Sequence, residues 1–175
     1  LLVGLMGGYY ILQSNSKPLI PKSENEKIAW SVYSDDNLQD WLRKYETKER
    51  TEEKAEAPAA QLILRAGKLY KAGKYKRVAA HLENTPPELA NYWEIQELLA
   101  HAYFHLGQYD QAWQVFDQIP VQQFSQFSDS AGWYGLLARL AMGQKNEIQS
   151  MLSEIVKDQG HTYYDKALEL QQSLK

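Results

Sequence analysis

Apolar positions along the chain recur in helical stripes, with no run of the strict alternation that marks strands. Residues 13–23 are polar and carry Pro18 and Pro21, so they read as an extended linker. Ile28, Ala29 and Val32 then recur at helical spacing behind Ser23-x-x-Glu26, a capping-box signature that predicts a short helix. Ser34-Asp35-Asp36 offers a second N-cap, and Leu38, Trp41, Leu42 and Tyr45 follow as one apolar face. The pattern breaks between Arg43 and Glu56, where ten of fourteen residues are charged, five of each sign. That run reads as a solvated helix extension or hinge, ended by Pro58. Near the end of the chain, Tyr163, Tyr164, Ala167, Leu168 and Leu174 predict a last helix with Glu169 and several Gln on its other face.

Between Pro58 and that last helix the pattern repeats. Ala66, Gly73, Tyr75, Leu82 and Pro86 recur as Ala100, Gly107, Tyr109, Phe116 and Pro120, each pair 34 residues apart. A looser third copy begins at Trp133-Tyr134 and runs through Gly143, 36 residues after Gly107, to Ile148 and Leu152. Ser125–Ser130, rich in Gln and Ser, reads as a longer connection that absorbs the two extra residues. Each unit is predicted to be a helix, a turn in which Gly takes positive φ, and an antiparallel second helix. No such pair buries its apolar face alone, so the units stack and share a core.

The unit Leu99-Ala100-x2-Tyr103-x3-Gly107-x-Tyr109-x2-Ala112-x3-Phe116 resembles the tetratricopeptide repeat. The first copy departs from that pattern with Leu69 and Val78, and the third with Leu136, Arg139 and Ile148. The resemblance covers roughly residues 59–175 and implies an all-α solenoid of about three helix-turn-helix repeats with a C-terminal cap helix. It also implies a groove lined by the first helix of each repeat. By register those positions are Ile63, Tyr70 and Lys71, then Glu94, Glu97, His101, Phe104 and His105, then Trp133, Leu137 and Leu140. A peptide or helix of a partner protein is the usual occupant of such a surface. The competing reading is that the cap helix or the N-terminal helices cover it.

Residues 1–12 contain no charge, and glycines stand at 4, 7 and 8 before Tyr9 and Tyr10. Spanning a bilayer takes roughly 20 residues. The run therefore reads as the end of a longer single-pass span, with the tyrosines at the headgroup belt; a signal-peptide core and a buried helix are the rivals. The domain order expected is the end of a transmembrane helix at 1–12, a linker at 13–23, one or two charged or amphipathic helices at 24–57 and the repeat domain at 58–175. The layout is similar to bacterial membrane-anchored repeat proteins. Few Lys follow the run, which points to an extracytoplasmic (periplasmic) repeat domain, with the cytoplasmic face as the alternative.

Charge changes this picture in one respect. The net charge is -3, but residues 78–138 hold seven acids and no Lys or Arg. Either this stretch meets a cationic or polar partner, or an aromatic-rich packed segment simply lacks long basic side chains. Arg65, Lys68, Lys71, Lys74, Lys76 and Arg77 cluster on the first repeat, where they suit anionic headgroups or a solvated helix face. No basic face with interleaved aromatics suggests nucleic acid.

Candidate chemistry is sparse. With no cysteine there is neither thiol nucleophile nor thiolate site. Neither a phosphate-cradling Gly loop nor a nucleophile elbow is present. Glu97, His101 and His105 stand four apart on one helix face, a spacing zinc helices use, but no further ligand pattern supports a metal. The expectation is a non-catalytic protein-protein interaction scaffold or accessory subunit of a membrane protein complex, with no cofactor, no metal and no catalytic residue. An assembly or chaperone-like factor is the alternative, and a metal-dependent enzyme a remote one.

Overall fold

The computed structural model describes residues 20–51, 58–119 and 125–174, and the regular structure among them is all α-helical. The expected membrane-span end at 1–12, the linker as far as residue 19, the close of the charged run and Pro120 lie outside the described residues. Among the described residues no helix is long and apolar enough to cross a membrane.

Three helix pairs form the body: α3 (Pro58–Lys71) with α4 (Tyr75–Leu82), α6 (Trp93–His105) with α7 (Tyr109–Gln118), and α8 (Ser125–Ala141) with α9 (Lys145–Ile155). α4 packs on α6 and α7 on α8, so each second helix meets the next unit. The one-turn α5 (Pro87–Ala90), started by the Pro86-Pro87 pair, lies between the first two units. α10 (Tyr164–Ser173) closes the array against α9.

The turns repeat to the hydrogen bond. Gly73, Gly107 and Gly143 take φ of 66°, 72° and 82°, the left-handed region. In the first turn the Gly73 N–H donates to Tyr70 C=O at 2.8 Å and the Lys74 N–H to Leu69 C=O at 2.9 Å. Gly107 and Gln108 repeat the pair to Phe104 and Tyr103, and Gly143 and Gln144 to Leu140 and Arg139. This paired closure is the Schellman motif, and it satisfies carbonyls the helix end would leave bare. Ala66, Ala100 and Ala112 are fully buried where helices approach, with Leu82, Phe116 and Leu152 filling the seams.

One feature differs from the sequence reading. Ser125–Ser130 is the opening of α8 and not a connection, because Asp129 and Ser130 bond to distant partners and leave the helical backbone undisturbed. Pro58 is the first residue of α3, where a missing N–H costs nothing.

Ahead of the repeats stand α1 (Glu24–Val32) and α2 (Asp36–Thr51). Ser23 caps α1 by accepting the Glu26 N–H at 3.1 Å, while the Glu26 carboxylate accepts from the Lys22 N–H, one residue earlier than a capping box requires. The two helices part company at residues 33–35. α1 packs on α8 and α10, at the third repeat, whereas α2 packs on α3, at the first. The core divides accordingly: Leu38 and Leu42 join Ile63, Ala66, Tyr70, Leu82 and Leu98, while Ala29 and Tyr33 join the larger cluster that runs to Leu170.

Candidate functional site

The first helices of the repeats place equivalent residues in rows. Ile63, Glu97 and Trp133 form one, Gly67, His101 and Leu137 the next, and Tyr70, Phe104 and Leu140 a third, at the 34- and 36-residue periods. All of these residues are buried. What buries the middle of the face is the chain itself, since Tyr33-Ser34-Asp35 crosses it between α1 and α2.

Each residue of that crossing is held. The Tyr33 hydroxyl lies 2.8 Å from His101 Nδ1 and 3.2 Å from His105 Nε2, and its ring stacks on Phe104 at 4.5 Å and 10°. The Tyr134 hydroxyl donates to the Ser34 carbonyl. Asp35 accepts from the Tyr70 hydroxyl at 2.7 Å and from Gln39 Nε2 at 3.2 Å, and lies 3.6 Å from His105 Nε2. His105 is sandwiched further, stacked on Tyr75 at 4.0 Å and 3°. Trp30 on α1 adds an indole N–H bond of 3.0 Å to the Tyr109 hydroxyl. The crossing is thus held by side-chain hydrogen bonds and ring packing, with the Tyr134 bond reaching its main chain.

Burial sets the protonation states. For Asp35 burial alone would raise the pKa, but hydrogen bonds from His105 and Tyr70 and the nearby histidines outweigh it and hold the carboxyl well below the usual range. Burial pushes His101 down to about 3 and Glu97 up to about 7, a Ser130 hydrogen bond opposing the latter. His101 Nε2 comes within 3.7 Å of Glu97 Oε2, but with the imidazole neutral this is a polar contact and no ion pair. Tyr33 and Tyr70 are driven well above the ordinary phenol value, chiefly by burial, so both remain neutral donors.

The expected partner groove is therefore corrected. Ile63, Tyr70, Glu97, His101, Phe104, Trp133, Leu137 and Leu140 sit on the concave face as the register requires, yet as a floor under α1, α2 and the cap. Lys71 and Glu94 are half-buried, and Lys71 pairs with Glu46 of α2 at 2.6 Å. The physical reason is size. A short array has little concave surface, and its apolar and aromatic floor is stabilised by the nearest amphipathic helices, those of its own chain. His101 and His105 do share a helix face, but their ring nitrogens address Tyr33 and Asp35. Among the described residues no three His, Asp or Glu are arranged to hold a metal.

One part of the face stays open. Beside the crossing, α2, α6, α8 and the start of α10 surround a cavity of about 280 Å³. Glu97 and Ser130 form its inner side, Trp41, Trp93 and Tyr163 its aromatic sides, and Asn37, Asp40 and Lys44 its rim. Trp41 meets Trp93 edge-on at 5.3 Å, and Asn37 Nδ2 donates to the Tyr163 hydroxyl at 3.2 Å. Ser130 Oγ donates to Glu97 Oε1 at 2.8 Å, and Glu97 Oε2 is buried with no hydrogen-bond partner.

Of the residues around the crossing and the cavity, the sequence reading named Tyr70, Glu97, His101, Phe104 and His105 as groove positions but gave no site role to Tyr33, Asp35, Ser130 and Tyr134. Ser130 was within reach, since it follows Glu94 by the same 36 residues that separate Gly107 and Gly143. Asp35 looked like capping material, and its main chain does cap: the Gln39 N–H donates to Asp35 C=O at 2.9 Å while the carboxylate turns inward.

Residues 69–140, from the end of α3 almost to the end of α8, match the tetratricopeptide repeat family. Over those residues the helix pairs are similar to tetratricopeptide repeats. Such repeats generally mediate protein-protein interaction and are typically non-catalytic. No curated protein and no solved structure matches the chain.

Proposed function

We propose that this repeat protein is a non-catalytic scaffold, an accessory subunit of a membrane protein complex, that binds another protein at the part of its concave face left open beside Glu97. The observation that carries this reading is the division of that face. Its centre is filled by Tyr33–Asp35, while the cavity between α2, α6, α8 and α10 stays open among Trp41, Trp93 and Tyr163, with Asn37, Asp40 and Lys44 at its rim. A cleft lined by aromatic side chains with a few polar groups is the kind of surface where a partner docks. The charge-free residues 1–12 support attachment to a membrane, and the few Lys just after them support the extracytoplasmic side for the repeats.

The chaperone-like alternative has less support. Holding unfolded clients takes exposed apolar surface, and among the described residues only Ile20 and Tyr92 are large, apolar and exposed.

The test is co-purification of the full chain from detergent-solubilised membranes. A partner at fixed stoichiometry, reduced at least tenfold by Asp40→Arg with Lys44→Glu on the cavity rim and unchanged by Lys76→Glu with Arg77→Glu on α4, is the expected result. Equal loss from both pairs, or a changing mixture of clients, overturns it.

A further inference from the structure

We infer that the outer side of the first repeat is a docking surface for a membrane bearing anionic phospholipid headgroups, which meet Arg65, Lys68, Lys74, Lys76 and Arg77. This surface is separate from the cavity beside Glu97. The inference rests on the membrane attachment proposed above only for bringing a bilayer within reach.

Charge marks the surface. Residues 58–82, which make up α3, its turn and α4, hold six Lys and Arg and not one Asp or Glu. The ion pairs among the described residues engage Lys71, through Glu46, and none of the other five. Arg65, Lys68, Lys76 and Arg77 are exposed, and Lys74 is half-buried. On α3, Arg65 and Lys68 stand opposite Ile63, Gly67 and Tyr70, so they face away from the concave floor. Burial first, and then the Arg65 charge, lower the His81 pKa, which puts Arg65 beside α4, where Arg77 stands one turn before His81. The cations of the two helices therefore share a surface. Glu83, the next acid along the chain, accepts from the Tyr103 hydroxyl at 2.8 Å. Like charges gathered without a carboxylate repel one another, and an external polyanion relieves that repulsion.

The side chains around the cations favour a bilayer over other polyanions. A protein interface has a dehydrated apolar centre. Here Leu62 and Leu69, the large apolar neighbours, are half-buried against the first core cluster. Among the described residues only Ile20 and Tyr92 are large, apolar and exposed, and both lie outside α3 and α4. Single-stranded nucleic acid needs rings on which its bases stack. Of the tyrosines in this stretch, Tyr70 is buried and Tyr75 is stacked on His105 at 4.0 Å. What remains is a set of charges on long flexible stems, the form in which basic clusters meet headgroups, each contributing about fivefold in affinity.

The place of the cluster in the fold agrees. In a stack of helix pairs the turns within the pairs lie along one edge, here the turns of Gly73, Gly107 and Gly143. Lys74, Lys76 and Arg77 stand at the first of them. At the third, a methyl built on Gly143 would come 3.2 Å from Asn25 Nδ2, so the start of α1 lies at that turn. Seven residues, 13–19, separate Ile20 from the charge-free run and span at most about 25 Å. A bilayer that holds residue 12 is therefore kept close to the edge on which the basic turn lies.

The experiment measures which edge meets the lipid. The chain has no cysteine, so Gln108→Cys and Gln118→Cys each give a single site for a fluorophore, and both positions are exposed. Gln108 caps α7 at the second turn, in a cleft it shares with Lys76, and Gln118 ends that helix about 15 Å away. Each labelled full chain is mixed with phosphatidylcholine vesicles that carry a headgroup nitroxide lipid, with or without phosphatidylglycerol. The expected result is quenching at Gln108 severalfold above that at Gln118 when phosphatidylglycerol is present. That excess is absent without it and in about 1 M salt. Lys76→Glu with Arg77→Glu removes the excess, and Arg65→Gln with Lys68→Gln, at exposed positions, lowers it. Equal quenching at the two positions, an excess that neutral vesicles also give, or one that survives the charge reversal overturns the inference. So does full competition by duplex DNA at equal phosphate concentration. Loss of a co-purifying partner on Lys76→Glu with Arg77→Glu assigns the patch to a protein and also overturns it. If the excess appears with phosphatidylglycerol while neutral vesicles retain none of the chain, the docking surface stands and attachment through residues 1–12 falls.

Discussion

At the scale of single residues, the positions that matter most are those where one group serves several partners. Tyr33 is the clearest. Its hydroxyl addresses His101 and His105, and its ring fills the space over Phe104. Tyr33→Phe keeps the ring and orphans the histidine nitrogens, so a loss of about 1–3 kcal/mol in denaturant unfolding is expected. Gly107 is a second such position, because its φ of 72° is strained for any residue with a Cβ. Gly107→Ala should cost about 1 kcal/mol by the same measurement. The turn glycines were legible at once in the sequence, as a period and a residue type together announce a conformation. Tyr33 was not. It ends an amphipathic stripe and precedes a cap-like Ser-Asp-Asp, so local rules accounted for its surroundings and left no residual signal. Its role depends on imidazoles about 70 positions away, as the separation of 68 residues from His101 shows, and pattern along one helix carries no such information.

At the scale of elements, the sequence yielded helices better than their docking. Apolar periodicity and caps give the existence of α1, α2 and the repeat pairs, since those depend on neighbours within a turn or two. Which helix covers which face depends on competing surfaces of similar apolarity. The polar start of α8 disguised a helix, while α2 was predicted as a helix without the face it docks on. The α2–α3 pairing offers a direct check. A methyl built on Gly67 would stand 2.7 Å from Leu42 Cδ2, inside the first core cluster. Gly67→Ala should therefore destabilise the protein by about 1–3 kcal/mol through overpacking, and trimming Leu42 to Ala in the same chain should recover part of that loss. Full additivity of the two losses in a double-mutant cycle would show that the two helices do not approach as described.

For the whole molecule, buried ionisable groups set opposed dependences on pH. Glu97 is raised from 4.5 to about 7, so its stabilising contribution is complete below pH 4.5 and is lost as pH rises through 7, about 3 kcal/mol in all. His101 is lowered from 6.5 to about 3, so its contribution is present above pH 6.5 and is lost as pH falls toward 3. Between pH 4.5 and 6.5 the two slopes offset one another. Below 4.5 His101 acts alone and is joined by Asp35, whose depressed pKa makes its share disappear in acid. Chemical denaturation across pH 3.5 to 8 should show a plateau from about 5 to 6.5, a shallow fall above it and a steep fall below 4.5. In Glu97→Gln the plateau becomes a rise toward pH 6.5 and the alkaline fall disappears. Parallel curves for the two proteins would refute the assignment.

The crossing of the concave face also fixes an order in time. Tyr33–Asp35 leaves the ribosome early, but Tyr134, which holds Ser34, is made 100 residues later, and Tyr163, which Asn37 contacts, 126 residues later. At ordinary rates of synthesis that is a wait on the order of ten seconds during which α1 lacks the α8 surface it packs on. The nascent chain therefore has only the α6 and α7 partners of Trp30 and Tyr33, among them Phe104 and Tyr109, until α8 and α10 exist. Chains stalled before residue 125 should quench differently at Trp30 from completed ones. The last helices to be made are thus the ones that put the first in place.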